Sequence, residues 1–267
     1  MMSCMKKYLV FISAILLLAF QACKGIKNNK SETNQQWQSL LAGNSLEGWV
    51  VKITNQPVGE NYKNTFRVKD GVLSINYDEY DGFENSFGHI FYDKEFSNYR
   101  FRMEYRFIGN QLKGGAGWAK RNSGIMVHCE EPRQMGIKQY FPVSLEVQLL
   151  GGLDDGLRTT GNVCTPGTHV AIDGVLVKKH CISSKSKTYN GDQWVKVEIE
   201  VRNDSIIKHF INDELVMEYT DFELGGGIDA NADFWKSKEG LTLNKGYISL
   251  QSESHPVEFK NIELLEL

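Results

Sequence analysis

The sequence predicts an all-β sandwich of two packed antiparallel sheets. Three observations predict it. Polar and apolar residues alternate with period two over long stretches, paired turn residues separate the alternating runs, and no segment carries the 3.6-residue period of a long amphipathic helix. Many antiparallel strands in one domain must bury their apolar faces against a second sheet.

The strands follow in order. Asp70-Gly71 joins Phe66-Arg67-Val68 to Val72-Leu73-Ser74-Ile75 as a tight turn. Tyr99 to Phe107 places aromatics and Met103 on one face and charges on the other. Ile125 to His128 and Leu145 to Leu150 are apolar-rich strands, and Val195 to Arg202 repeats the strict alternation. Ile206 to Phe210 and Leu215 to Tyr219 flank Asn212-Asp213, residues that tolerate the positive φ of a hairpin turn. Tyr247 to Leu250, Val257 to Phe259 and Ile262 to Leu265 close the chain. This makes roughly a dozen strands, with Trp49 and Trp194 in strand contexts that favour the core. Two stretches, 108–121 and 225–239, are Gly-rich or mixed and read as loops, where function tends to sit.

The N-terminus predicts export. Lys6 and Lys7 precede an apolar run from Tyr8 to Phe20, the length of a signal-peptide core and short for a membrane span. Phe20-Gln21-Ala22-Cys23 resembles the lipobox of bacterial lipoproteins, which implies lipid on Cys23 and a membrane anchor; cleavage after Ala22 by an ordinary signal peptidase is the alternative. The expected organisation is a signal peptide over 1–22, a polar tether over 23–36 and one domain over 37–267. The destination is the periplasm or the cell surface. The formal charge is −3 and loss of Lys6 and Lys7 deepens it by two, so nucleic acid is not an expected partner. An exported domain permits disulfides. Cys164 and Cys181 flank a hairpin turning at Asp173-Gly174, which favours their pairing and leaves Cys129 free; three buried thiols are the alternative.

Several ordered segments carry a resemblance. They are Trp37 to Leu41 with Leu46-Glu47-Gly48-Trp49, Arg121 to Ile125, Ser144 to Leu150, Asp192-Gln193-Trp194, His209 to Asn212, Gly246 to Gln251, and Phe259 to Ile262. Together they resemble the 3-keto-disaccharide hydrolase domain family, with Lys260 where Arg is commoner. The resemblance covers residues 37 to 267. It implies a concanavalin A-like jelly roll, a carbohydrate partner and a lipoprotein.

Candidate chemistry lies on the strand faces. Glu146 and Gln148 share one face of their strand, opposite Val147 and Leu149. With an amide at the second position, the paired carboxylates of ordinary glycoside hydrolysis are not visible on this strand. Gln251, Glu253 and His255 repeat the polar alternation, and an imidazole and a carboxylate on one face suit acid/base work or a metal. The plainer reading is an exposed edge strand. His128 shares a face with Met126 as a third catalytic candidate. Trp118 offers a stacking face for a sugar ring, and Lys120, Arg121 and Asn122 offer donors to hydroxyls, with Trp235 a second stacking candidate. His89 and His180 are weaker candidates, His180 for substrate binding, while His169 and His209 read as strand surface. No strong metal signature is present, although Asp154 with Asp155, or Asp229 with Asp233, would suit a divalent metal ion.

The resemblance implies a hydrolase or lyase acting on 3-keto-glycosides. A C3 carbonyl acidifies the C2 proton, a base removes it, and the enolate expels the C1 substituent. Glu146 or His255 is the expected base, with His128, Arg121 or a metal at the C3 oxygen. A lectin-like binding module and an adhesive surface lipoprotein are the alternatives.

Overall fold

The computed structural model describes residues 36–226 and 232–267. Cys23, the expected signal peptide, the tether up to residue 35 and Asp229 lie outside the described residues, as does the side chain of Asp233. The strands in chain order are β1 Gln38–Ser39, β2 Trp49–Ile53, β3 Phe66–Lys69, β4 Val72–Ile75, β5 Gly88–Phe96 and β6 Asn98–Phe107. Next come β7 Asn122–Cys129, β8 Leu145–Leu150, β9 Asn162–Cys164, β10 Thr168–Ile172, β11 Val175–Val177 and β12 Cys181–Ile182. The last are β13 Val195–Arg202, β14 Ile206–Ile211, β15 Glu214–Leu224, β16 Gly246–Ser252 and β17 Val257–Glu266. A five-residue helix, α1 (Ala232–Lys236), lies inside the stretch expected to be loop.

These strands build a jelly-roll sandwich, concanavalin A-like, as expected. A ten-stranded sheet runs β11-β10-β15-β14-β13-β6-β17-β4-β3, with β1 on β17, and a seven-stranded sheet runs β12-β9-β8-β7-β16-β5-β2. Neighbours pair antiparallel throughout. The turn chemistry accounts for the hairpins: Asp70 and Gly71, Asp173 and Gly174, and Asn212 and Asp213 all adopt positive φ, the conformation that keeps a two-residue turn in step with strand twist. The final strand, expected in two pieces, is one strand with a register shift at Asn261 (φ 52°).

Alternation decides what each sheet buries. Phe101, Met103, Tyr105 and Phe107 of β6 face Ile125, Val127, Val147 and Leu149 of the other sheet in one core. The opposite face of the ten-stranded sheet is a charged lattice. Arg102 meets Glu263 at 2.7 Å, Arg106 meets Glu258 at 2.7 Å and Lys260 meets Glu104 at 3.4 Å, all directly cross-strand. Trp194 belongs to this outer face, not to the core: Arg106 and Lys260 lie over its ring at 4.5 and 4.2 Å. Trp49 is buried, its indole N–H donating to Leu40 O at 2.8 Å.

Cys164 and Cys181 pair across β9 and β12 as a disulfide, and Cys129 is a free, buried thiol. The bridge closes a loop between residues 17 apart. Cross-linking such a loop removes denatured-state entropy worth about 3 kcal/mol. The variant with both cysteines changed to serine is expected to lose that amount in urea denaturation, with a larger m-value because the uncrosslinked denatured chain exposes more surface.

His209 was expected on the surface and is fully buried. Its position in β14 faces the core, where Nδ1 meets Gly161 O at 2.9 Å and Nε2 meets Tyr219 Oη at 3.1 Å. Burial pushes its pKa down to about 4, so it stays neutral. His169 is half-buried under Gly225 and Gly226.

Candidate functional site

The seven-stranded sheet turns a polar face away from the core, and strand register assembles it. Glu146 lies opposite Met126 and Cys164, while Gln148 lies opposite Gly124 and Asn162. Beyond β7 lies β16, and Glu253 follows directly on its last residue, Ser252. A cavity of about 360 Å³ opens here, lined by Trp118, Asn122, Phe141, Glu146, Gln148, the Cys164–Cys181 bridge, Pro166, His180 and Glu253. That volume falls in the range of small-molecule sites.

Glu146 and Glu253 are both buried, at 7 % and 3 % exposure. They come from strands two apart, with β7 between them. The gap is bridged at Gly124, where a Cβ would stand 2.7 Å from Glu146 Oε1 and 2.9 Å from its Cγ. Only glycine lets the Glu146 side chain lie across β7. Burial pushes the Glu146 carboxyl up to about 8. Burial first, and then the charge of Glu146, raises Glu253 well above the ordinary range. Burial and mutual repulsion therefore make both carboxyls hard to ionise. Glu253 is fixed by its neighbour: Ser254 N donates to Tyr77 Oη at 2.9 Å, and Ser254 O accepts from Leu112 N at 2.8 Å.

The amides are oriented as well. Gln148 Oε1 accepts from Asn162 Nδ2 at 3.0 Å, and Asn162 Oδ1 is held by Thr159 Oγ1 and Ser184 N. Gln148 therefore offers its Nε2 donor to the cavity. Asn122 is 3 % exposed with an unpartnered Oδ1. Trp118 is 56 % exposed and stacks parallel to Phe87 at 6.0 Å. His180 is exposed at the rim, its backbone carbonyl tied to Thr165 N at 2.9 Å.

The remaining candidates sit elsewhere. His255 does not join Glu146, because the chain crosses between the two sheets after Glu253. Ser254 adopts φ 84°, the alternation ends, and the His255 ring packs edge-on to Phe107 at 5.7 Å. Burial and then Arg121 and Lys120 push its pKa down to about 4. His128 is turned away by a bulge. Its φ of 46° swings the ring between the sheets, where Nε2 donates to Asn203 O at 2.8 Å and the ring meets Phe222. Arg121 is tied to Gly191 O and Asp192, its guanidinium over Phe107. Lys120 is exposed outside the cavity lining. Trp235 is buried against Val143 and Leu224. Gln251 is fully buried in a central strand, the opposite of an exposed edge. Among the described residues no three His, Cys, Asp or Glu side chains converge as metal ligands, and Asp154 and Asp155 are exposed on a turn. Phe141 and Pro166 were missed because they belong to connections whose placement depends on tertiary folding.

The family model for the 3-keto-alpha-glucoside-1,2-lyase-like domain matches residues 36–265. The chain belongs to this family. Membership makes the protein carbohydrate-active, with carbohydrate as its partner. Two candidate glycosyl hydrolases from Parabacteroides distasonis share the fold. One is 17 % identical with a TM-score of 0.53 over 87 % of this chain and 100 % of its own. The other is 19 % identical with a TM-score of 0.51 over 86 % and 94 %. A search of the curated proteins found no match.

Proposed function

We propose that the protein cleaves 3-keto-glycosides by elimination, with Glu146 and Glu253 as the base and acid. The buried pair facing one cavity carries this reading. The ionised carboxylate takes the C2 proton, and the C2–H electrons form the enolate of the C3 ketone. The enolate re-forms the ketone as C1=C2 closes and the C1–O bond breaks. The protonated carboxyl gives its proton to the leaving oxygen. One proton is gained and one lost, so the pair ends with the count it began with. Glu146, whose carboxyl lies over Gly124 at the cavity, is the base, and Glu253, across β7 from it, is the acid. Gln148 Nε2 is the donor best placed to steady the developing charge on the C3 oxygen.

The same pair supports a second reading, ordinary glycoside hydrolysis, since two carboxyls are what that route needs. An NMR time course on a 3-keto-glucoside and its unoxidised parent separates them. Release of aglycone from the keto form alone supports elimination; release from the parent supports hydrolysis; release from neither leaves a binding module. Gly124→Ala places a methyl against the Glu146 carboxyl. It is expected to cut kcat about a hundredfold, the cost of roughly 1 Å of misplacement, in a variant whose circular dichroism is unchanged.

Export and lipid anchorage through Cys23 complete the proposal. Labelling of the full chain with a radioactive fatty acid, lost in Cys23→Ser, is the expected result.

A further inference from the structure

The position of Glu253 fixes which end of the cavity receives the leaving group. Across the seven-stranded sheet the functional positions follow in one order: Cys164 on β9, Glu146 and Gln148 on β8, Asn122 on β7, then Glu253 directly after β16. The Gly88–Ser252 pair ends the ladder between β5 and β16, so Phe87, one step beyond Gly88, lies opposite Glu253. With the C2 proton at Glu146 and the C3 oxygen at Gln148, the sugar ring lies over β8. A C1 oxygen at Glu253 directs the leaving group away from β8, toward Phe87.

That end of the cavity is aromatic. Trp118 and Phe141 line it, and both rest on Phe87. The Trp118 ring is parallel to Phe87 within 3° at 6.0 Å, and the Phe141 ring is tilted against it at 5.1 Å. Trp118 stays 56 % exposed beside Phe87, which leaves ring surface free. Hydrogen bonds hold this wall in place. Gln111 Nε2 donates to Ala116 O at 2.8 Å and to Ser254 Oγ at 2.9 Å, tying the Trp118 turn to the residue after Glu253. Gln139 Nε2 donates to Phe141 O at 2.9 Å. A surface fixed in this way binds without a large ordering cost. Its two side chains carry a single polar atom, the Trp118 indole nitrogen. The other polar side chains of the cavity, Asn122, Glu146, Gln148 and Glu253, serve the sugar ring and the breaking bond, and His180 stands at the β12 edge.

We propose that Trp118 and Phe141 form the leaving-group site, and that the group they receive is a flat aromatic aglycone rather than a second sugar. The inference rests on the proposed cleavage with Glu253 as the acid. A second sugar ring carries hydroxyls around its rim, and each one buried without a partner costs affinity. An aromatic ring has none to satisfy. It buries apolar surface against the wall and gains stacked or edge-to-face contact with both rings. The substrate class is therefore the 3-keto-glycoside of an aromatic alcohol or phenol.

The test uses benzyl and methyl 3-keto-glucosides. Their leaving alcohols are of nearly equal acidity, so a difference in rate reports contact with the wall rather than leaving-group strength. Wild type is expected to prefer the benzyl substrate about tenfold or more in kcat/KM, mainly through KM. Trp118→Ala with Phe141→Ala is expected to remove most of that preference, and Trp118→Phe to keep most of it. A wild-type ratio within twofold of unity, or one that the double variant leaves unchanged, overturns the site. So does a clear preference for a 3-keto-disaccharide over the benzyl substrate. Calorimetric titration of the unoxidised benzyl and methyl 1-thioglucosides, which resist cleavage, supplies a readout free of turnover. Tighter binding of the benzyl compound, lost in the double variant, keeps the site even where neither keto substrate is cleaved, an outcome that sinks the elimination alone. Cleavage of both keto substrates with equal efficiency and no binding preference keeps the elimination and sinks the site.

Discussion

Glu146→Gln is expected to lose about a thousandfold in kcat on a 3-keto-glycoside and, at pH 8, to unfold at a higher temperature than wild type. The loss follows from removing the base, since a positioned general base contributes 10²–10⁴-fold. The gain in stability follows from the same burial. A carboxyl held at about 8 in the fold and at its ordinary 4.5 in the unfolded chain binds a proton in the native state that the unfolded state has released. Between those values stability falls as pH rises, because the native state binds more protons. The amide keeps the shape and removes this penalty, on the order of 2–4 kcal/mol by pH 8. Thermal unfolding of both proteins at pH 5 and pH 8 checks it. The melting temperatures are expected to converge at pH 5 and separate at pH 8. A Glu146→Gln variant less stable than wild type at both would mean that the carboxyl is stabilised by contacts rather than strained by burial.

The second large effect is in the pH profile. The base form of Glu146 fills as pH rises through about 8. kcat/KM is expected to climb close to tenfold per pH unit from 6 toward 8 and then level off. Glu253 is also raised, by burial first and then by the charge of Glu146. His255 and His128, both near 4, contribute no limb in this range. Steady-state rates from pH 5 to 10 decide it. A limb centred near 6.5, the signature of an ordinary histidine, would take the role of base away from Glu146.

Much of the fold was legible because it depends on local rules. Period two in Tyr99 to Phe107 assigns the core face, and Asp-Gly or Asn-Asp pairs mark turns. The disulfide was legible for the same reason, as a hairpin brings its flanks together. The site was only half legible. Glu146 and Gln148 are two apart on a strand, so their common face follows from the pleat. The partnership of Glu146 with Glu253 depends on β7 lying between β8 and β16, an arrangement of residues more than a hundred apart in sequence. His255 misled because its alternation with Glu253 runs through the crossover at Ser254, where strand periodicity ends. His128 misled because a bulge inverts its side, and nothing in Val127-His128-Cys129 announces a bulge. Trp194 misled because an aromatic at a strand start serves equally well under a layer of cations as in a core.

The most direct test uses a 3-keto-glucoside carrying deuterium at C2. Removal of that proton by Glu146 is the step that separates elimination from every other reading of the carboxyl pair. A primary isotope effect on kcat/KM, present in wild type and accompanied by loss of the C2 label from the product, is the predicted result. Cleavage at equal rates for both isotopologues, with the label kept at C2, would contradict it and assign the pair to direct displacement at C1.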